Sequence, residues 1–220
     1  MAIAAPFNLK KWIDEHRDLL KPPVGNQCVY KDAENFIVMV VGGPNSRKDY
    51  HYNESEELFY QVEGNIVVKI IDNGVPRDIE INEGDMFLLP AKTPHSPQRG
   101  PNTVGLVIEK VRETEEDGFL WYCENCGNKL YEEHLHVSDI VKQLPPVMEG
   151  FYADEHKRTC SKCGAVMAPP VKKKIRWGMV ITGIIIGFST IPAGCTSTRR
   201  LPRKATSPIE IGRASCRERV

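Results

Sequence analysis

Two short stretches carry the residue types that could do chemistry. One runs Arg47-Lys-Asp-Tyr-His51-Tyr-Asn-Glu-Ser-Glu-Glu57, the other Pro90-Ala-Lys-Thr-Pro-His95-Ser-Pro-Gln-Arg99. His51, Glu57 and His95 make a two-histidine, one-carboxylate set. Such a set suits non-haem Fe(II) held on one face, with three coordination positions left for a substrate and O₂. Arg47 lies four residues before His51, and Arg99 four after His95. In extended backbone, residues four apart point to the same side, so each histidine would bring a guanidinium with it. Two guanidiniums suit a substrate that carries a carboxylate. Glu109 ends the apolar run 104–108 and shares parity with Val107, so it would point inward, at a cost unless it is paired.

A second cluster is made of thiols. Cys123-Glu-Asn-Cys126-Gly127 and Cys160-Ser-Lys-Cys163-Gly164 are two CxxCG knuckles, with thirty-three residues between Cys126 and Cys160. Four thiolates give a tetrahedral site for Zn or a single Fe. Glycine after the second Cys permits positive φ, which turns backbone N–H groups toward the sulfurs. In a reducing compartment this spacing favours a metal over disulfides.

The elements that must position these residues read mostly as short strands. Asn8 can cap a helix to about Lys21, with Leu9, Trp12, Ile13, Leu19 and Leu20 on its apolar face and Pro22-Pro23 beyond it. Strands are expected over 36–41, 58–62, 66–71, 78–81, 86–89 and 104–111. Glu63-Gly64-Asn65 and Asp72-Asn73-Gly74 supply turns. Near-regular spacing of short strands favours a small antiparallel barrel or jelly roll over any βαβ unit. A short helix is expected over 138–144, stopped by Pro145-Pro146. His16 reads as helix surface or packing, His134 and His136 as exposed, and Cys28 as a buried small apolar residue.

The zero net charge hides an asymmetry. Residues 1–170 carry 18 Lys/Arg against 27 Asp/Glu, and residues 171–220 carry 11 against 2. An acidic body argues against nucleic-acid binding, which relies on phosphate neutralisation. No N-terminal signal peptide is visible, so a cytoplasmic setting without membrane attachment is expected. The tail differs in kind. Its basic start, the apolar run 177–191 and Pro192-Ala-Gly-Cys195 look like a lipoprotein signal. The last eleven residues resemble a translated sequencing adapter. Residues 171–220 are therefore expected to be a non-native tail, after a catalytic domain over 1–115 and a Cys₄ metal-binding appendage over 116–170.

The spacing around the ligands resembles the two cupin motifs. Glu57, rather than Glu54 or Glu56, stands the required distance before Gly64 and shares parity with His51. Gly84-Asp-Met-Phe-Leu-Leu-Pro90 precedes His95 as the second motif requires. Asn53, Lys92 and Arg99 depart from the general pattern, standing where many cupins have His, Gly and Asn. With Gly-Gly-Pro-Asn at 42–45 and His-Ser-Pro-Gln-Arg at 95–99, the chain resembles the 3-hydroxyanthranilate 3,4-dioxygenases over about residues 6–170. The rubredoxin-like Cys₄ piece is that of their bacterial form. The resemblance implies an all-β cupin barrel with an N-terminal helix, and a homodimer. It implies Fe(II) on His51, Glu57 and His95, and a second Fe or Zn on Cys123, Cys126, Cys160 and Cys163. It implies ring opening of 3-hydroxyanthranilate by O₂ to 2-amino-3-carboxymuconate semialdehyde, in tryptophan breakdown and the route to quinolinate and NAD. Arg47 and Arg99 would hold the substrate carboxylate, and Glu109 would accept from its amine or phenol. Two alternatives stay open. One is a cupin isomerase or small-ligand binding module. The other is a protein whose point is the Cys₄ piece, as an electron-transfer or zinc interaction module.

Overall fold

Alternating apolar residues build most of the strands. The computed structural model describes residues 3–170 apart from residues 4, 23, 24, 46 and 139, with no side chains described at 140 and 141. The expectation for 171–220 lies outside these residues. In order come α1 (Leu9–His16), β1 (Asn26–Cys28), β2 (Phe36–Gly42), β3 (Tyr50–Tyr52) and β4 (Glu57–Glu63). Then follow β5 (Ile66–Asp72), β6 (Val75–Ile81), β7 (Met86–Leu89), β8 (His95–Arg99) and β9 (Val104–Lys110). The last are β10 (Asp117–Tyr122), β11 (Lys129–Leu135), α2 (Ile140–Ala153) and α3 (Glu155–Arg158).

The strands form two antiparallel sheets, in the orders β1-β2-β9-β4-β7 and β11-β10-β3-β8-β5-β6. Phe59, Leu89 and Val107 from the first pack against Ile66, Val68, Ile70 and Ile81 from the second. The fold is thus mostly β and cupin-like, with an N-terminal helix and a four-Cys cluster near the end of the described chain. Among the described residues no helix is long and apolar enough to cross a membrane.

Asn8 caps α1 as expected, its side chain accepting from Lys11 N at 2.9 Å. The α-helix ends at His16 and tightens into a 3₁₀ turn over Arg17–Leu20. That change of period buries Leu20 and leaves Leu19 exposed, against the expected face. Ile13 and Leu20 pack on Val40 and Val104, covering one part of the five-stranded sheet's outer surface. Phe36, Met86 and Leu88, also on that sheet, stay more than half exposed. His16 stacks on Trp12 at 4.4 Å, a packing role as read from the sequence.

Three expectations are corrected. The six-stranded sheet runs through the supposed boundary at 115/116, because β10 pairs with β3 on one side and β11 on the other. Asp117 and the next four residues, just past that boundary, are buried. Pro145 and Pro146 do not stop a helix; both lie inside α2. An interior proline costs about 3 kcal/mol. The offset comes from Leu144, Val147, Met148 and Phe151, spaced to lie along one face and packed with Phe119 and Trp121. Cys28 is exposed, because β1 is an edge strand.

Phe151 is fully buried and stacks on Trp121 at 4.2 Å. Phe151→Ala is expected to destabilise the chain by about 3–5 kcal/mol, read from the urea midpoint.

Candidate active site and metal centres

The three candidate ligands come from both sheets. His51 and His95 are direct cross-strand partners in β3 and β8, with ring centroids 5.2 Å apart. Glu57 opens β4 in the facing sheet, and its Oε2 lies 3.0 Å from His95 Nε2. One donor atom from each residue lies within 4.8 Å of the other two. Donors sharing an ion at about 2.1 Å are roughly 3–4 Å apart, so small adjustments suffice. Glu57 and His95 are buried and His51 half-buried. Two imidazoles and one carboxylate are the donor types that hold non-haem Fe(II), so the residues fit that ion.

Local contacts hold two of the candidate ligands, His95 and Glu57. His95 Nδ1 bonds Thr93 O at 3.0 Å, which leaves Nε2 facing Glu57. Buried Asn53, in the place of the second motif histidine, brings Nδ2 to 3.5 Å from Glu57 Oε2. Burial alone would raise the Glu57 carboxyl. The charge and hydrogen bond of His95, then His51 and Arg112, outweigh it and hold the group below the usual carboxylate range. Glu54 is exposed and engaged elsewhere, with Oε2 2.8 Å from Lys92 Nζ. Lys92 has φ +63°, which explains why the general pattern has glycine there.

Arg99 closes β8 and is buried on the same side as His95, as the four-residue offset requires. Asn45 clamps its backbone: the Arg99 N–H donates to Asn45 Oδ1 at 2.8 Å, and the Asn45 N–H donates to Arg99 O at 3.1 Å. Among the described residues the guanidinium has one hydrogen-bond partner, the Gln61 amide oxygen at 3.3 Å, and no ion pair. Burial, helped by Arg47 and opposed by Glu57, pulls Arg99 down to about 10. A cation so placed favours an incoming anion. Gly105 makes the room: a Cβ there would stand 2.8 Å from Gln61 Oε1 and 2.9 Å from Arg99 Nη1. Arg47 is already paired, its Nη2 donating to Asp49. Glu109 points inward beside its cross-strand neighbour Glu57. Burial and the Glu57 charge push its carboxyl up, although Arg112 donates to it.

The four thiols also converge. Cys123 and Cys163 sulfurs are 3.6 Å apart, as are those of Cys126 and Cys160. A tetrahedral ion with bonds of about 2.3 Å needs edges of roughly 3.8 Å. Gly127 and Gly164 adopt φ +72° and +73°. Their own N–H groups bond the Cys123 and Cys160 carbonyls instead of the sulfurs. The Cys160 sulfur receives the N–H groups of Lys162 and Cys163. Asn125, then Ala165 N–H, pull the Cys163 thiol down to about 6, toward the thiolate a metal needs. His134 and His136 belong to neither cluster.

Sequence reasoning missed Arg112, Asp117 and Asn45. Only the Asn45 position carried a signal, as part of Gly-Gly-Pro-Asn.

The family profile described as 3-hydroxyanthranilic acid dioxygenase matches residues 1–152. The 3-hydroxyanthranilate 3,4-dioxygenase of Xanthomonas euvesicatoria is 54% identical over 166 residues, 75% of this chain and 93% of its own. That of Neurospora crassa is 47% identical over 165 residues, 74% of this chain and 91% of its own. Among solved structures, a cupin-2 domain protein from Shewanella frigidimarina covers 45% of this chain and 92% of its own, at 15% identity and a TM-score of 0.38. The chain belongs to the 3-hydroxyanthranilic acid dioxygenase family.

Proposed function

We propose that this chain is a 3-hydroxyanthranilate 3,4-dioxygenase with Fe(II) held by His51, Glu57 and His95. The observation that carries the reading is the convergence of these donors beside Arg99, a buried guanidinium with no carboxylate partner among the described residues. When bound, Fe(II) supplies open coordination positions and electron density for an oxidation by O₂. Arg99 binds the substrate carboxylate through a planar two-point contact. Arg47, fixed by Asp49, stands by with positive charge where the reaction gathers negative charge. Glu109, whose carboxyl is raised by burial, takes a proton from the phenol or amine as the ring becomes the electron donor. The test is anaerobic reconstitution with Fe(II), then an oxygen-electrode trace with 3-hydroxyanthranilate. One O₂ consumed per substrate is expected. Full iron loading with no uptake would favour the isomerase or binding-module reading.

The Cys₄ site is read as a second Fe or Zn centre of structural purpose, and a visible spectrum separates the two, since only iron absorbs strongly there. Changing Cys123 and Cys160 together to Ser is expected to empty it and lower the melting midpoint. Each lost kcal/mol is worth roughly 2–4 °C in a domain of this size. Turnover per catalytic iron should stay within about threefold, because neither thiol contacts the ligand set. A folded, iron-loaded double variant with no turnover would make the site a redox partner instead.

A homodimer and a reducing cytoplasmic setting complete the reading. The bare sheet surface around Phe36, Met86 and Leu88 supports the first, and sedimentation at micromolar concentration decides it. Four thiols converging at metal-ligand spacing support the second, since such a site needs them reduced.

A further inference from the structure

Two charged side chains that no motif announces stand behind the ligand set. Arg112 lies just past β9, and Asp117 opens β10. Their side chains are only 12% and 3% exposed. Asp117 Oδ1 accepts from His51 Nε2 at 2.6 Å and lies 2.9 Å from Arg112 Nη2. The same Arg112 nitrogen donates to Glu109 Oε2, and Glu109 is the cross-strand neighbour of Glu57. A continuous row, His51–Asp117–Arg112–Glu109, thus runs from one ligand to the neighbour of another.

Resting on the function proposed above, we infer that Asp117 and Arg112 are positioning residues for the metal site. Asp117 holds the His51 ring and its tautomer, and Arg112 holds Asp117 and Glu109 in one charge-paired row. A buried ion pair is a weak source of stability, since desolvation cancels much of its attraction. A carboxylate bonded to a ligating histidine has a specific use: it orients the ring and raises its basicity.

The proposal separates from a plain charge effect. Removing a nearby cation should by electrostatics alone tighten binding of Fe(II). If Arg112 positions, removing it should weaken binding. The experiment is anaerobic competition for Fe(II) between the full-length protein and a ferrous chelator. Metal in the Cys₄ site is counted separately as an internal check on folding. Asp117→Ala and Arg112→Gln are expected to bind iron at the His51–Glu57–His95 site about 10- to 100-fold more weakly. Asp117→Asn, which keeps an acceptor oxygen, and Arg112→Lys should each recover part of the loss. The Cys₄ metal should be unchanged in all four, and kcat should fall with little change in KM. Iron affinity within twofold of wild type in Asp117→Ala, or tighter binding in Arg112→Gln, overturns the proposal. Should either of those fail to fold, wild-type affinity and turnover in both Asp117→Asn and Arg112→Lys overturn it equally. A wild-type protein that takes no iron at the triad would instead sink the proposed function.

Discussion

Glu57→Ala abolishes turnover and empties the catalytic site of iron, whereas Glu54→Ala leaves both within about twofold of wild type. That is the largest contrast expected, between carboxylates three residues apart. Glu57 is 5% exposed, faces His95 Nε2 at 3.0 Å and shares a donor cluster with both histidines. Glu54 is exposed and paired with Lys92 at 2.8 Å. Changes beside a ligand cost about 10- to 100-fold in metal affinity or activity, so loss of a ligand should exceed about 100-fold. Iron per chain and O₂ uptake measure it. Equal damage in the two variants would sink the ligand assignment.

Arg99→Ala is expected to lose roughly 30- to several-thousand-fold in kcat/KM, mostly through KM. Losing a charge-assisted pair in a water-poor site costs about 2–5 kcal/mol, part of it from the carboxylate left unpaired. About 1.4 kcal/mol corresponds to one decade. The resting site makes this prediction sharp. Among the described residues Arg99 spends one weak hydrogen bond on Gln61 and none on a carboxylate, so the substrate would be its main partner. The fold should tolerate the change, because burial already works against that charge. Lys should rescue only partly, lacking the planar fork. The control is 2-aminophenol, which keeps both chelating groups but has no carboxylate. Wild type and variant should handle it equally poorly. If the variant slows 2-aminophenol as much as the full substrate, Arg99 acts on oxygen or metal.

Strands with an apolar face were legible in the sequence: β2, β4, β5, β7 and β9 fall close to where alternation and turn residues put them. Two strands that carry candidate site residues, β3 and β8, were not. Tyr50-His-Tyr52 and His95-Ser-Pro-Gln-Arg99 are polar because they face ligand positions, so they lack the signature of a half-buried strand. The candidate ligand set was legible, because spacing and residue type suffice to group His51, Glu57 and His95, whose donor atoms lie within 4.8 Å of one another. Arg112 and Asp117 were not, since each is an ordinary charged residue in a stretch without apolar alternation. What gives them meaning is the pairing of β10 with β3, and residue spacing does not encode long-range register. Pro145-Pro146 misled for a related reason. Local propensity argues for a stop, and the apolar face behind it decides otherwise.

The pairing of β3 with β10 also bears on how the protein is made. A chain leaving the ribosome presents His51, Glu57 and His95 well before Asp117, which follows His51 by 66 residues. Until β10 emerges, β3 is an open sheet edge and His51 has no carboxylate behind it. The same strand leads directly into Cys123, whose partner thiols at 160 and 163 come later still. The donor set is therefore synthesised before its supports. Iron offered to a nascent chain arrested before residue 117 should bind more weakly than iron offered to the released protein.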